Sequence, residues 1–120
     1  MNIEEAHDLC ISQPYATEDM PFGDDAIAFR VGGKIFALMM LMRNEQLSLK
    51  CAPELSEELR ASHTSIQPAW HLNKRHWIQI DLNGTDINNA LVTELIEHAH
   101  NLVLHKLSQT QLAELYKMKR

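Results

Sequence analysis

Gly32 and Gly33 stand together between two apolar runs, and this pair does most to limit the folds open to the chain. A two-residue hairpin turn needs positive φ at both central positions, which glycine adopts without steric cost. Before the pair, Ile27, Phe29 and Val31 alternate with Ala28 and Arg30. After it, Lys34–Met42 forms a return strand that is apolar on both faces, as a central strand is. The turn predicts Val31 opposite Lys34, Phe29 opposite Phe36 and Ile27 opposite Leu38. Arg43, Asn44 and Glu45 supply the next turn. Leu47, Leu49 and Cys51 then point inward, with Gln46, Ser48 and Lys50 outward. These segments predict an antiparallel three-stranded meander.

Helical patterns flank it. Ile3–Ile11 has apolar residues at helical spacing and acids in its early turns, and Pro14 ends it. Residues 13–25 carry two prolines, a glycine and four acids and read as a loop. Pro53 suits the first position of a second helix reaching Ser62, with Leu55 and Leu59 on its buried edge. Residues 65–68 read as irregular and 69–72 as a short strand. That strand pairs across Asn73–Arg75 with a strand over His76–Leu82. Asp86 is a candidate N-cap for a long helix through His105, striped by Leu91, Val92, Leu95, Ala99, Leu102 and Val103. Ser108 and Gln111 have the capping-box spacing of a final short helix. The fold class is α+β, a two-layer sandwich of order α-β(3)-α-β(2)-α. Its antiparallel sheet carries helices on one face, in a single domain over residues 1–120.

Charge is unevenly spread. The net charge is -5, yet residues 1–25 hold seven acids and no Lys or Arg, leaving 11 basic against 9 acidic side chains in the rest. From Leu59 to Ile80 there is no acid at all, only Arg60, Lys74, Arg75 and the histidines His63, His71 and His76. The overall field opposes tight nonspecific binding to nucleic acid, while an anion can still bind locally. Cys10 and Cys51 are too few for a disulfide framework and read as buried thiols. The acidic N-terminus resembles no targeting peptide, and the longest apolar run is far shorter than the roughly 20 residues of a membrane span. A soluble, cytoplasmic protein is expected.

Four strings then occur in order: Pro21-Phe22-Gly23; Val31-Gly-Gly-Lys34-Ile-Phe36; Leu49-Lys50-Cys51-Ala-Pro53-Glu54; and His71-Leu-Asn73-Lys74-Arg75-His76-Trp77. They resemble the MmcQ/YjbR family of small bacterial proteins, over about Cys10 to Leu107. The resemblance implies a two-layer fold related to type III secretion chaperones and to frataxin-like CyaY proteins. It also implies DNA binding through a double-wing arrangement, with no established enzyme activity. The segment Glu97-His98-Ala99-His100-Asn101-Leu102 stands where relatives more often carry a Ser-Tyr pair, so a role for that tyrosine does not transfer.

The basic and aromatic string is the leading site candidate. Asn73 and Lys74 can donate to phosphate oxygens, Arg75 can contact one bidentately, and Trp77 can stack on a base. His71 and His76 frame the string, and parity places Lys50, Ser48 and Arg30 on the same sheet face as Trp77. The same residues also suit a structural turn, with the histidines bonding backbone and Trp77 covering the sheet. A protein partner is the third reading. The Met39, Met40 and Met42 strand, with Ile35, Ala37 and Leu41 on an uncovered face, would serve such a partner or a second copy of the chain. The acids Glu18, Asp19, Asp24 and Asp25 read as a solvated loop. Seven histidines occur without zinc-ligand spacing, and no nucleophile elbow or phosphate loop is present, so no metal, cofactor or catalytic residue is expected.

Overall fold

The structure is a computed structural model that describes residues 1–41, 45–69 and 72–117. The expected Arg43-Asn44 turn, Met42, His71 and the last basic residues, Lys119 and Arg120, lie outside the described residues. In chain order the elements are α1 (Ile3–Ile11), β1 (Thr17–Asp19), β2 (Ala26–Val31), β3 (Lys34–Met40), β4 (Gln46–Lys50), α2 (Pro53–Ser62), β5 (Ile66–Pro68), β6 (Trp77–Asp81), α3 (Asn89–His105) and α4 (Gln109–Tyr116). The six strands form one antiparallel sheet in the order β1-β2-β3-β4-β6-β5.

All four helices feed one core on one face of the sheet. Ala6 and Cys10 of α1, Leu59 of α2, Val92, Leu95, Ile96, Ala99 and Val103 of α3, and Leu115 of α4 pack with Phe29, Phe36, Leu47, Leu49, Ile78 and Ile80. Leu95 is 4% exposed, as the stripe on α3 requires. Cys10 and Cys51 are free and buried, and burial pushes their thiols up to about 12 and about 11.

Gly32 and Gly33 have φ of +60° and +80°, the turn their sequence demands. A Cβ on Gly32 would come within 2.6 Å of Leu107 Cδ1, so the turn is also packed beneath the end of α3. Val31 faces Lys34 as expected, but the register slips beyond Arg30 and Ile35: Phe29 faces Ala37, and Ile27 faces Met39. Phe36 is the extra residue of a β-bulge. The bulge brings both Phe36 and Ala37 into the helix-side core, so Ala37 does not join an uncovered apolar patch. Phe36 gains two aromatic neighbours, Phe29 at 6.4 Å and the edge-on ring of His100 at 5.4 Å.

Three further expectations are corrected. β1 lies within the stretch read as a loop. Its side chains are all exposed and carry no hydrophobic alternation; backbone pairing with β2 makes the strand. β5 falls on Ile66–Pro68, in the stretch read as irregular, because Ile66 is the buried residue that packs opposite Ile80; of the strand expected over 69–72, residues 70 and 71 lie outside the described residues and Ala69 and Leu72 are in no strand. The N-cap of α3 is Asn88, whose side chain accepts from Leu91 N–H at 2.8 Å.

Asp86 instead ties the approach to α3 onto the start of β5. Its carboxylate accepts from the Ser65 hydroxyl, from Ser65 N–H at 3.2 Å and from Thr64 Oγ1 at 3.1 Å, and its carbonyl accepts from His63 Nδ1 at 2.8 Å. The Ser65 hydroxyl chiefly holds the carboxyl down at about 2, against some burial. A carboxyl whose folded value lies below its unfolded one contributes stability above the unfolded value, and that contribution is lost as pH falls through the folded value. Asp86→Asn should therefore lower the urea midpoint at neutral pH. The gap from wild type should shrink below pH 4 and close only below pH 2; a gap independent of pH would refute the clamp.

Candidate functional site

Strand direction sorts the charges. The β2–β3 turn, the end of β4, the start of β6 and the C-terminus of α3 all lie at one end of the sheet. That end gathers Lys34, Lys50, Lys74, Arg75 and Lys106. At the other end lie Asp24, Asp25, Glu45 and Asp81, at or near the opposite termini of the same strands.

Lys50 is the centre of the basic end. It pairs across the sheet with Trp77, and its ammonium lies 5.2 Å from the indole centroid, a cation–π contact. Burial lowers its pKa, and the charges of Lys106 and Lys34 lower it further. Three lysines from β3, β4 and the C-cap of α3 thus converge closely enough to repel one another. Such mutual repulsion is relieved by an anion.

The 73–76 turn projects from the same end. The Asn73 side-chain oxygen accepts from Arg75 N–H at 3.0 Å, and its carbonyl accepts from His76 N–H at 3.0 Å. His76 O accepts from Cys51 N–H at 2.8 Å, which anchors the turn beside the end of β4. Asn73 and His76 are therefore framework. Lys74 and Arg75 are exposed at the tip.

Trp77 is on the open sheet face, as parity requires, but it is only 8% exposed and covered in part by Lys50. It cannot offer a ring face for base stacking, so that expected role is withdrawn. Arg30 lies near the same end, yet its guanidinium is held by Asp19 at 2.9 Å and by the Gly33 carbonyl at 3.0 Å. The sequence reading missed Lys34 and Lys106. The hairpin register already puts Lys34 at the strand end shared with Lys50; Lys106 needed the direction of α3.

The open face is mixed. Over β4 and β6 it is polar, with Ser48 opposite Gln79 and Gln79 donating to Gln46 at 2.7 Å; over β2 and β3 it is apolar, with Ala28, Leu38, Ile35 and Met40. The histidines have separate duties. His98 Nε2 accepts from Ala52 N–H at 3.2 Å at the start of α2, and burial lowers its pKa. His100, buried, donates from Nε2 to Pro14 O at 2.8 Å. Among the described residues no group of three or more His, Cys, Asp or Glu could hold a metal ion. Nor is any helix among them long and apolar enough to cross a membrane.

His7 and the β1 acids correct the solvated-loop reading. His7 Nε2 contacts Glu18 at 2.5 Å and Nδ1 contacts Asp8 at 3.3 Å. Burial pulls the imidazole pKa down, but the Glu18 and Asp8 hydrogen bonds and charges outweigh it and hold it raised.

Comparison with known proteins gives one family. The family model described as YjbR matches residues 11–102. The uncharacterised Escherichia coli protein YbdF is 36% identical over 107 residues, covering 88% of this chain and 87% of its own. The uncharacterised Escherichia coli protein YjbR is 35% identical over 86 residues, covering 71% and 73%. A Deinococcus radiodurans protein of known crystal structure superposes with a TM-score of 0.87 at 34% identity, over 96% of this chain and 88% of that one. The strings around Gly32-Gly33 and residues 71–77 fall inside the matched span, and the chain belongs to the YjbR family.

Proposed function

We propose that this chain is a DNA-binding protein of the cytoplasm that grips the phosphate backbone with the basic end of its sheet and catalyses no reaction. The observation that carries the reading is the convergence of Lys34, Lys50 and Lys106 beside the turn bearing Lys74 and Arg75. Five cations on two strands, a turn and a helix end form a compact patch on a chain that is acidic overall. Phosphate contacts of this kind position a protein on nucleic acid without reading its sequence. The buried Trp77 favours backbone contact over stacking. The alternative is a protein or chaperone-like partner on the open sheet face, for which the apolar half over β2 and β3, with Ala28, Leu38 and Met40, speaks, and the polar Gln46–Gln79 pair over β4 and β6 speaks against.

Replacing both Lys74 and Arg75 by alanine should weaken binding to duplex DNA about tenfold at low salt, equally for unrelated sequences. Fluorescence anisotropy with two duplexes of different sequence measures this. An unchanged affinity in a variant of native circular dichroism would exclude the turn from the interface.

A further inference from the structure

The end of the sheet opposite the cations carries a second surface. A cleft of about 340 Å³ lies between α1 and the β2–β3 pair. Ile3, Ile27, Met39 and Leu41 give it an apolar lining, and Glu4 and Asp8 give it an acidic rim, with His7 between them. The volume is at the small end of ligand pockets, which run about 300–1,000 Å³, and suffices for an anchoring side chain. Leu41 is 38% exposed. Its N–H donates to Asp25 O at 2.8 Å, so the loop between β1 and β2 leaves the sheet at this end. That loop bears Met20 and Phe22, 44% and 65% exposed. Three of the four exposed large apolar side chains among the described residues therefore belong to this end or to the loop leaving it.

We propose that this cleft docks a basic polypeptide segment of another protein, which inserts an aliphatic side chain between α1 and β3. Charge complementarity selects the occupant. Residues 1–25 supply seven acids and no Lys or Arg, so the rim repels phosphate and attracts lysine and arginine. A partner that buried Glu4 without a cation would strand its charge, and Asp8 has only the His7 imidazole at 3.3 Å beside it. A second copy of the chain is a poorer fit. Its basic patch lies at the far end of the sheet, so copies joined head to tail would not close into a symmetric dimer. The site is separate from the basic end, and its fate does not depend on DNA binding.

The test uses a short fluorescein-labelled peptide of leucines among lysines, with two controls: serine for every leucine, and glutamate for every lysine. Anisotropy should report saturable binding of the first peptide and none of either control. Leu41→Ser leaves the charge unchanged and alters an exposed strand end, and it should weaken binding about tenfold. Glu4→Lys with Asp8→Lys should abolish it. Circular dichroism checks that each variant is folded. Binding that Leu41→Ser leaves unchanged would mean diffuse ionic attraction and would overturn the proposal. So would no binding, or sedimentation showing self-association that Glu4→Lys with Asp8→Lys removes.

Discussion

Phe36→Ala should destabilise the protein by about 3–5 kcal/mol, the range for removing a buried aromatic side chain from a packed core. Phe36 is fully buried at the β-bulge, between the Phe29 ring and the edge-on ring of His100. Truncation removes apolar contact and opens a cavity that neither neighbour can fill, because both are fixed elsewhere. Phe29 is paired within the sheet, and His100 is held by the Pro14 carbonyl at 2.8 Å. Domains of this size are stable by only about 5–15 kcal/mol, so the variant would be marginal. Urea denaturation should show a much lower midpoint with a similar slope. A loss below about 1 kcal/mol would mean that the bulge does not centre the core on Phe36.

The bulge also shows where the sequence stops being legible. Gly32-Gly33 announces a turn and fixes Val31 opposite Lys34, and both hold. Extending that register assumes an unbroken ladder, and the fully apolar run from Ile35 to Met40 carries no mark of the extra residue. The meander, the capping box at Ser108 and the stripe on α3 were legible because each is a local pattern with one period. β1 was not: Thr17, Glu18 and Asp19 are exposed and polar, and only the free edge of β2 makes them a strand. Nor was the clamp at Asp86, whose partners are about twenty residues away in sequence.

The site divides the same way. Lys74 and Arg75 stand out in the sequence because their neighbourhood lacks acids. Lys50 was found by strand parity. Parity gives the face of a residue but not its exposure, which is why Trp77 was expected to stack and instead lies buried beside Lys50. Lys34 and Lys106 join the patch only when strands and helix are placed side by side.

Lys50→Glu combined with Lys106→Glu should reduce affinity for duplex DNA by about 30-fold to 100-fold at low salt, the largest effect expected on binding. Each reversal removes a cation that can neutralise a phosphate and adds a charge that repels one. The two sites are close enough for the charge on Lys106 to lower the pKa of Lys50, so the reversed pair would put repulsion at the middle of the patch. Both positions lie at element ends outside the core, so the variant should stay folded, with a thermal midpoint lowered slightly by loss of the Lys50 contact to the Trp77 ring. Replacing Arg30 should weaken binding far less, because Asp19 and the Gly33 carbonyl already hold its guanidinium.

The central claim is that phosphate meets these converging cations, and salt titration of wild-type binding to duplex DNA tests it most directly. Release of counterions by about three to five neutralised phosphates predicts a log–log slope of about −3 to −4.5 against salt concentration, reduced in magnitude by about 2 in the Lys50→Glu, Lys106→Glu variant. A slope near zero, or no binding at low salt, would contradict it.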